Sequence, residues 1–341
     1  MTGGDGVKKE HSAVLACVGA VIGAGFSSGR EIVSFFTQYG VHGWWLIALA
    51  VLVMTALCAL CMRMAQAADP NWISVVYGGK TAQLCSMILL VLTAGAMISA
   101  AGHMIALLWA HPWAYAAGVL GTLLAARRMG AGSLKPLNLV SAVLTLALLC
   151  ALMASLVKLP TESVRLSPAV DWKTLAAAAV RAVGYAAMNM MLAIGVVCRS
   201  AGQARGIGIT SGLFGWIIGM LLLISQCVYS RYPSSGQTPF PMIALLADNG
   251  RKGYLFSVAL LYLSVITTLA SVLCALGTAV EVRTSRRELQ WLLVLGLPLA
   301  VSGIGFEGIV DRFYAPAGLV CLVCVFAPML WRLKKSKASF P

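Results

Sequence analysis

Chemistry concentrates in one short stretch, Cys17-Val-Gly-Ala-Val-Ile-Gly-Ala-Gly-Phe-Ser-Ser-Gly-Arg-Glu31. Gly19, Gly23, Gly25 and Gly29 fall within eleven residues of an apolar segment, with Ser27, Ser28 and the Arg30-Glu31 pair beside them. Glycine weakens a helix, and in lipid each unpaired backbone group costs several kcal/mol. Irregular backbone survives at membrane depth only where protein or an aqueous cavity surrounds it. The spacing therefore predicts a discontinuous helix, one half ending near Ile22 and the next starting near Phe26 or Ser27. Gly23, Ala24 and Gly25 would line the gap. The N–H groups of Phe26, Ser27 and Ser28 would sit at the positive end of the second half and suit a carboxylate. Ser28-Gly-Arg-Glu31 has capping-box spacing, which would restart the helix. Carbonyls freed at Gly19 and Ile22 suit a hard cation. The competing reading of the glycines is close helix packing through small residues.

Other polar side chains in apolar segments could complete such a site. Ser264, Thr267, Thr268 and Ser271 follow helical spacing and place hydroxyls on one face, where neutral oxygens can replace the water of a monovalent ion. The alternative is hydroxyls bonding back to their own helix. Among ionisable groups, Glu31 and Arg181 could pair as a gate or a structural clamp. His103 is either a buried, hydrogen-bonded histidine or a substrate-facing or proton-sensing one. Cys58-x-x-Cys61 and Cys321-x-x-Cys324 match a metal spacing. Both lie in apolar runs without His or carboxylate neighbours in sequence, so cysteine reads there as a small buried residue. No phosphate-binding loop, GxSxG or HExxH motif occurs, which argues against ATP drive and hydrolysis, predicts a non-enzyme and calls for no organic cofactor. The first segment has no Asp or Asn near its glycines, which weighs against a divalent metal.

The elements that must position these residues follow from composition. The 341 residues are 60% hydrophobic and 11% charged, with a mean hydropathy of +0.88. A soluble domain carries about 25% charged residues, so this is an integral membrane protein. Apolar runs predict ten helices at about 11–38, 42–64, 81–109, 113–127, 134–157, 173–199, 206–230, 254–282, 289–305 and 315–332. The segment 238–247 is too short to span and reads as a small helix lying over the protein or dipping into it. With the N-terminus inside, sixteen Lys and Arg fall on the inner face and seven on the outer, leaving Arg30 and Arg181 within the membrane. That bias predicts a multi-pass protein with both termini cytoplasmic, and it explains the net charge of +14 without nucleic acid. Ten spans with both ends on one side divide into two fives of opposite topology, about 11–157 and 173–332, the layout of an inverted repeat within one domain, 1–341. Such a repeat asks for a second interruption in span six. Gly184, Tyr185 and Asn189 supply a softer weak spot there, with Ala186 and Met188 beside them.

The run Val21-Ile-Gly-Ala-Gly-Phe-Ser-Ser-Gly-Arg-Glu-Ile-Val-Ser-Phe-Phe36 resembles the YkvI-type bacterial membrane proteins, themselves similar to the amino acid–polyamine–organocation superfamily. The Tyr185-Ala-Ala-Met-Asn189 segment is similar to the sixth span of that family. The resemblance implies a LeuT-type five-plus-five helical fold with helices 1 and 6 discontinuous. It implies a secondary transporter of the bacterial cytoplasmic membrane, working by alternating access. It also implies sodium held by Gly19, Ile22, Ser264, Thr267 and Thr268. In proton-coupled relatives a lysine of span five can take that place, and span five here has none between Lys135 and Lys158. The expected cargo is a small amino acid. Its carboxylate would meet the N–H groups of Phe26 to Ser28, and its amine the carbonyls near Tyr185 to Met188. The expected molecule is a monomer or weak homodimer whose other partner is membrane lipid. Two alternatives stand: a proton-coupled permease using His103 or Glu31, and a permease-like receptor that binds without transporting.

Overall fold

The computed structural model describes residues 13–67, 79–130, 134–158, 171–204, 206–232, 235–281 and 286–338, and every regular element among them is helical. Residues 13–21 form α1, which stops at Ile22 and Gly23. Two short helices follow, α2 (Ala24–Ser28) and α3 (Arg30–Phe35). A 3-10 segment, Thr37–His42, then runs into α4 (Gly43–Ala67). Next come α5 (Lys80–Leu108), α6 (Ala114–Gly130), α7 (Leu134–Lys158), α8 (Trp172–Ser200) and α9 (Ile207–Ser230). The short α10 (Pro241–Ala247) precedes α11 (Gly250–Glu281). A π-helical turn joins α12 (Arg287–Trp291) to α13 (Leu297–Ser302), and another joins α14 (Phe306–Cys321) to α15 (Ala327–Ala338).

Helix therefore occurs at each of the ten positions that the apolar runs predict. Six helical stretches are long and apolar enough to cross a membrane, at Thr37–Ala67, Lys80–Leu108, Trp172–Ser200, Ile207–Ser230, Gly250–Gly277 and Phe306–Leu333. The chain is a multi-pass membrane protein. Exposed Trp44 and Trp45 open α4, while exposed Trp109 and Trp113 follow α5. Exposed tryptophans at helix ends suit an interfacial aromatic belt. Lys8, Lys9, Arg165, Arg205 and Arg283 of the charge census lie outside the described residues.

The middle of the bundle is α8, packed against α4 and α14, with α14 also against α5. Here one expectation fails. Helix α8 is continuous from Trp172 to Ser200, with no interruption at Gly184 or Asn189. The physical reason is close packing. A Cβ on Gly184 would stand 2.5 Å from the Ala315 carbonyl oxygen, and one on Gly318 would collide with the Gly184 carbonyl. The backbones of α8 and α14 thus touch, and glycine is needed for contact, not for a break. Alanine and methionine around Gly184 favour helix. The matching second break of a five-plus-five repeat is not formed in α8.

Candidate functional site

The first break is real and lies two residues earlier than its predicted restart. Gly23 is extended, and its N–H turns back to the Val21 carbonyl at 2.9 Å. The second half begins at Ala24, not at Phe26. Its leading amide is satisfied from another helix: Ala24 N–H donates to Thr268 Oγ1 of α11 at 3.2 Å. Ser27 Oγ lies 3.1 Å from Ser264 Oγ and donates to the Gly23 carbonyl at 3.0 Å. The hydroxyl face of α11 therefore meets the break, but only through Ser264 and Thr268. Thr267 donates back to the Ser264 carbonyl at 2.9 Å, and Ser271 to that of Thr267 at 3.0 Å. Ile22 is buried just before the break, and Gly19 lies one turn earlier in α1.

Two details narrow the carboxylate expectation. The Ser27 N–H is taken by the Gly23 carbonyl at 3.0 Å. Ser28 does not form a capping box. Its hydroxyl donates to the Gly25 carbonyl at 2.7 Å and accepts the Arg30 N–H at 3.1 Å. What redirects the chain instead is Gly29, whose φ of 78° ends α2 and opens α3. A side chain there would adopt a left-handed backbone at about 1–2 kcal/mol and would collide with the Tyr229 hydroxyl. Gly29→Ala is expected to lower the apparent melting temperature of the detergent-purified protein by several degrees. An unchanged melting temperature would remove the constraint.

The bend at Gly29 sends Arg30 and Glu31 in different directions. Arg30 faces the end of the bundle where α10 lies. Its guanidinium reaches Glu307 at 2.7 Å and forks onto both oxygens of Asp311. It also donates to the Thr238 carbonyl at 3.2 Å. Phe240 stacks on Phe306 with centroids 5.4 Å apart, closing α10 against the start of α14. The expected Glu31–Arg181 pair is not formed. Arg181 donates to Ser34 Oγ at 3.3 Å and to the Asp311 carbonyl at 3.2 Å, and sits over the Phe35 ring. The ion pairs to Glu307 and Asp311 both belong to Arg30.

Glu31 turns inward and is 5% exposed, with its carboxyl laid against Gly25 so closely that a Cβ there would strike it. The buried Tyr185 hydroxyl of α8 lies beside this carboxyl and beside Asn189, without a well-formed hydrogen bond to either. The Asn189 amide donates to the Tyr185 carbonyl at 3.0 Å. The Tyr314 hydroxyl of α14 lies in the field of Glu31, next to Thr93 of α5, and also lacks a well-formed bond. Phe35 and Phe36 pack on the Tyr185 ring at 4.9 and 5.3 Å. Ala186 and Met188 are buried within α8. His103 is not part of this group. It is exposed on the outside of α5, with Nδ1 2.9 Å from the Ser99 carbonyl and its ring edge-on to Tyr115. Among the described residues no three His, Cys, Asp or Glu side chains are grouped to hold a metal ion.

No family model matches the chain, and no curated protein matches it either. Solved structures do. A manganese transporter of Eremococcus coleocola, in complex with an aromatic bis-isothiourea compound, superimposes with a TM-score of 0.59 at 14% identity, covering 94% of this chain and 78% of that one. A glutamate-to-alanine variant of that transporter gives 0.58 at 15% identity over 93% and 77%. A histidine-to-alanine variant gives 0.57 at 14% identity, with the same coverage. At this identity the likeness is one of fold.

Proposed function

We propose that the chain is a secondary transporter that works by alternating access and carries a small amino acid with sodium. The observation that carries this reading is the junction of the α1–α2 break with α11, where Ala24 N–H meets Thr268 and Ser27 meets Ser264. A helix interrupted at membrane depth exposes backbone dipoles, and a neighbouring hydroxyl face supplies the neutral oxygens that a dehydrated monovalent cation needs. Sodium entering between Gly19, Ile22, Ser264, Thr267 and Thr268 would compete with Ala24 for the Thr268 oxygen. Ion binding would then free the Ala24 amide for the cargo carboxylate, which couples the two. The fold shared with the manganese transporters supports carriage of a small solute, and the Arg30 cluster would close the outer side. In this reading both termini face the cytoplasm of a bacterial cell.

Uptake into proteoliposomes under separate sodium and proton gradients tests the proposal. A sodium gradient is expected to drive accumulation of L-leucine. Thr267→Ala with Thr268→Ala should raise the sodium concentration for half-maximal uptake about tenfold or more, because two neutral ligands are lost. Uptake that ignores sodium and survives both changes would sink the sodium site. A second reading, proton coupling, is favoured by the buried Glu31 carboxyl and predicts uptake driven by a proton gradient alone.

A further inference from the structure

We infer that Glu31, Tyr185 and Tyr314 form a recognition site for a primary ammonium group, and that a proton holds the site when it is empty. The inference rests on the transporter reading only for what the ammonium belongs to, the amine of the cargo. That amine needs a place, because α8 is continuous and its carbonyls from Tyr185 to Met188 lie inside the helix, that of Tyr185 accepting the Asn189 amide as well.

The geometry supplies such a place. Glu31 and Tyr185 meet there, and Tyr314 lies in the field of Glu31. The Glu31 carboxyl comes from α3, held inward by the left-handed Gly29 and admitted by the missing side chain of Gly25. The Tyr185 and Tyr314 hydroxyls come from α8 and α14, are 0% and 1% exposed as residues, and neither has a well-formed bond. A carboxylate and two phenolic oxygens match the three N–H donors of an ammonium. Phe35 and Phe36, packed on Tyr185, give the surroundings of a cation with an apolar body. A hard divalent ion asks for six or more oxygens and suits this group poorly.

The charges nearby do not compete for Glu31. Arg30 on the same helix is committed to Glu307 and Asp311 of α14. On α8, Arg181 donates through Nη2 to Ser34 and the Asp311 carbonyl and lies over the Phe35 ring, with its buried Nε unpartnered. Arg312 of α14 is exposed, and His42 and Tyr39 lie in the 3-10 segment beyond α3. Tyr229 of α9 bonds to Met242 Sδ at 3.7 Å. A carboxylate left alone in such a place is expensive, so the empty site keeps its proton. Binding then exchanges one cation for another. The O–H bond of the carboxyl breaks, the proton leaves to water, and the ammonium N–H groups bond to the carboxylate formed. No electron is transferred.

The test uses the detergent-purified full chain and three probes: isoamylamine, L-leucine and isocaproate, which carry the amine alone, both groups, and the carboxylate alone. Calorimetry in buffers of different ionisation heat reads proton release directly. Isoamylamine and L-leucine are expected to bind the wild type with release of a proton and to bind up to tenfold more weakly per unit as pH falls. Isocaproate should bind without releasing one. Glu31→Gln should lose isoamylamine binding by about a hundredfold together with the proton release, and Tyr314→Phe should lose it several-fold. If Glu31→Gln does not fold, proton release by the wild type still decides. Amine binding without proton release, binding unaffected by Glu31→Gln, no isoamylamine binding up to about 10 mM, or release of the proton by sodium chloride alone would each overturn the site. Binding without uptake would keep it and sink the transporter reading, so the two failures are distinguishable.

Discussion

Gly318→Ala should remove most of the folded protein, and Gly184→Ala should do nearly the same. At Gly318 an added Cβ collides with the Gly184 carbonyl and comes within 2.9 Å of the Met188 nitrogen. At Gly184 it meets the Ala315 carbonyl carbon at 3.1 Å as well as its oxygen. All of these are backbone atoms within helices, so no rotamer change relieves them. The two helices must move apart, and with them the contacts of α14 on α5 and of α8 on α4. Overpacking by one methyl group costs about 1–3 kcal/mol when side chains can yield, and more is expected where they cannot. Separation would also shift Tyr314 of α14 relative to Tyr185 of α8. Gly195 in the same helix α8 has nothing within 4 Å of an added Cβ. Gly195→Ala should therefore be neutral, or stabilising by up to about 1 kcal/mol from helix propensity. The monodisperse yield and melting temperature of the three variants check this, and equal behaviour of Gly318→Ala and Gly195→Ala would refute the close contact.

That contrast also explains what the sequence could and could not convey. A glycine in an apolar helix has two uses at membrane depth, to break the helix or to admit a neighbour. Near Gly23 four glycines and two serines favour the first, and the break is there, although Gly25 also admits the Glu31 carboxyl. Its exact edge depends on Thr268, 244 residues away, which caps Ala24 and lets the second half start early. Near Gly184 the second use holds, because the partner is the Ala315 carbonyl, and no local pattern announces it. Arg30 and Glu31 look equivalent as neighbours in sequence. The left-handed turn at Gly29 makes one peripheral and the other central. Glu307 and Asp311 were hidden by hydropathy, which starts the last span at residue 315 while helix starts at Phe306. They are two of only eleven acidic residues and stand at i, i+4 spacing, so one helix face with paired acids was available to be read. The tyrosine hydroxyls had no such signal, since Tyr185 and Tyr314 sit on separate helices, α8 and α14, that pack through the Gly184–Gly318 contact.

On the proposed transport cycle, breaking the Arg30 cluster should shift the protein toward an open outer side. Arg30 is 12% exposed at its side chain, Asp311 30% and Glu307 44%. Solvent discounts the Glu307 pair, so the forked bond to Asp311 and the Thr238 carbonyl bond carry most of the effect. Removing Arg30 strands Asp311 beside Glu307, four residues apart on one helix, which adds like-charge repulsion. A total of about 2 kcal/mol corresponds to roughly a thirtyfold change in the closed-to-open ratio. In Arg30→Ala, a cysteine placed at Ser27 should react with a membrane-impermeant thiol reagent added outside about thirtyfold faster than in the parent carrying Ser27→Cys alone. Asp311→Asn should give most of that acceleration and Glu307→Gln little of it. Arg30→Asp with Asp311→Arg should restore slow labelling that neither change alone retains. The exchange of Glu31 with Arg181 should restore nothing, because Arg181 bonds to Ser34 and the Asp311 carbonyl while Glu31 lies against Gly25 and Tyr185. Labelling rates that are equal in Arg30→Ala and the parent would show that the cluster holds helices together without closing a path.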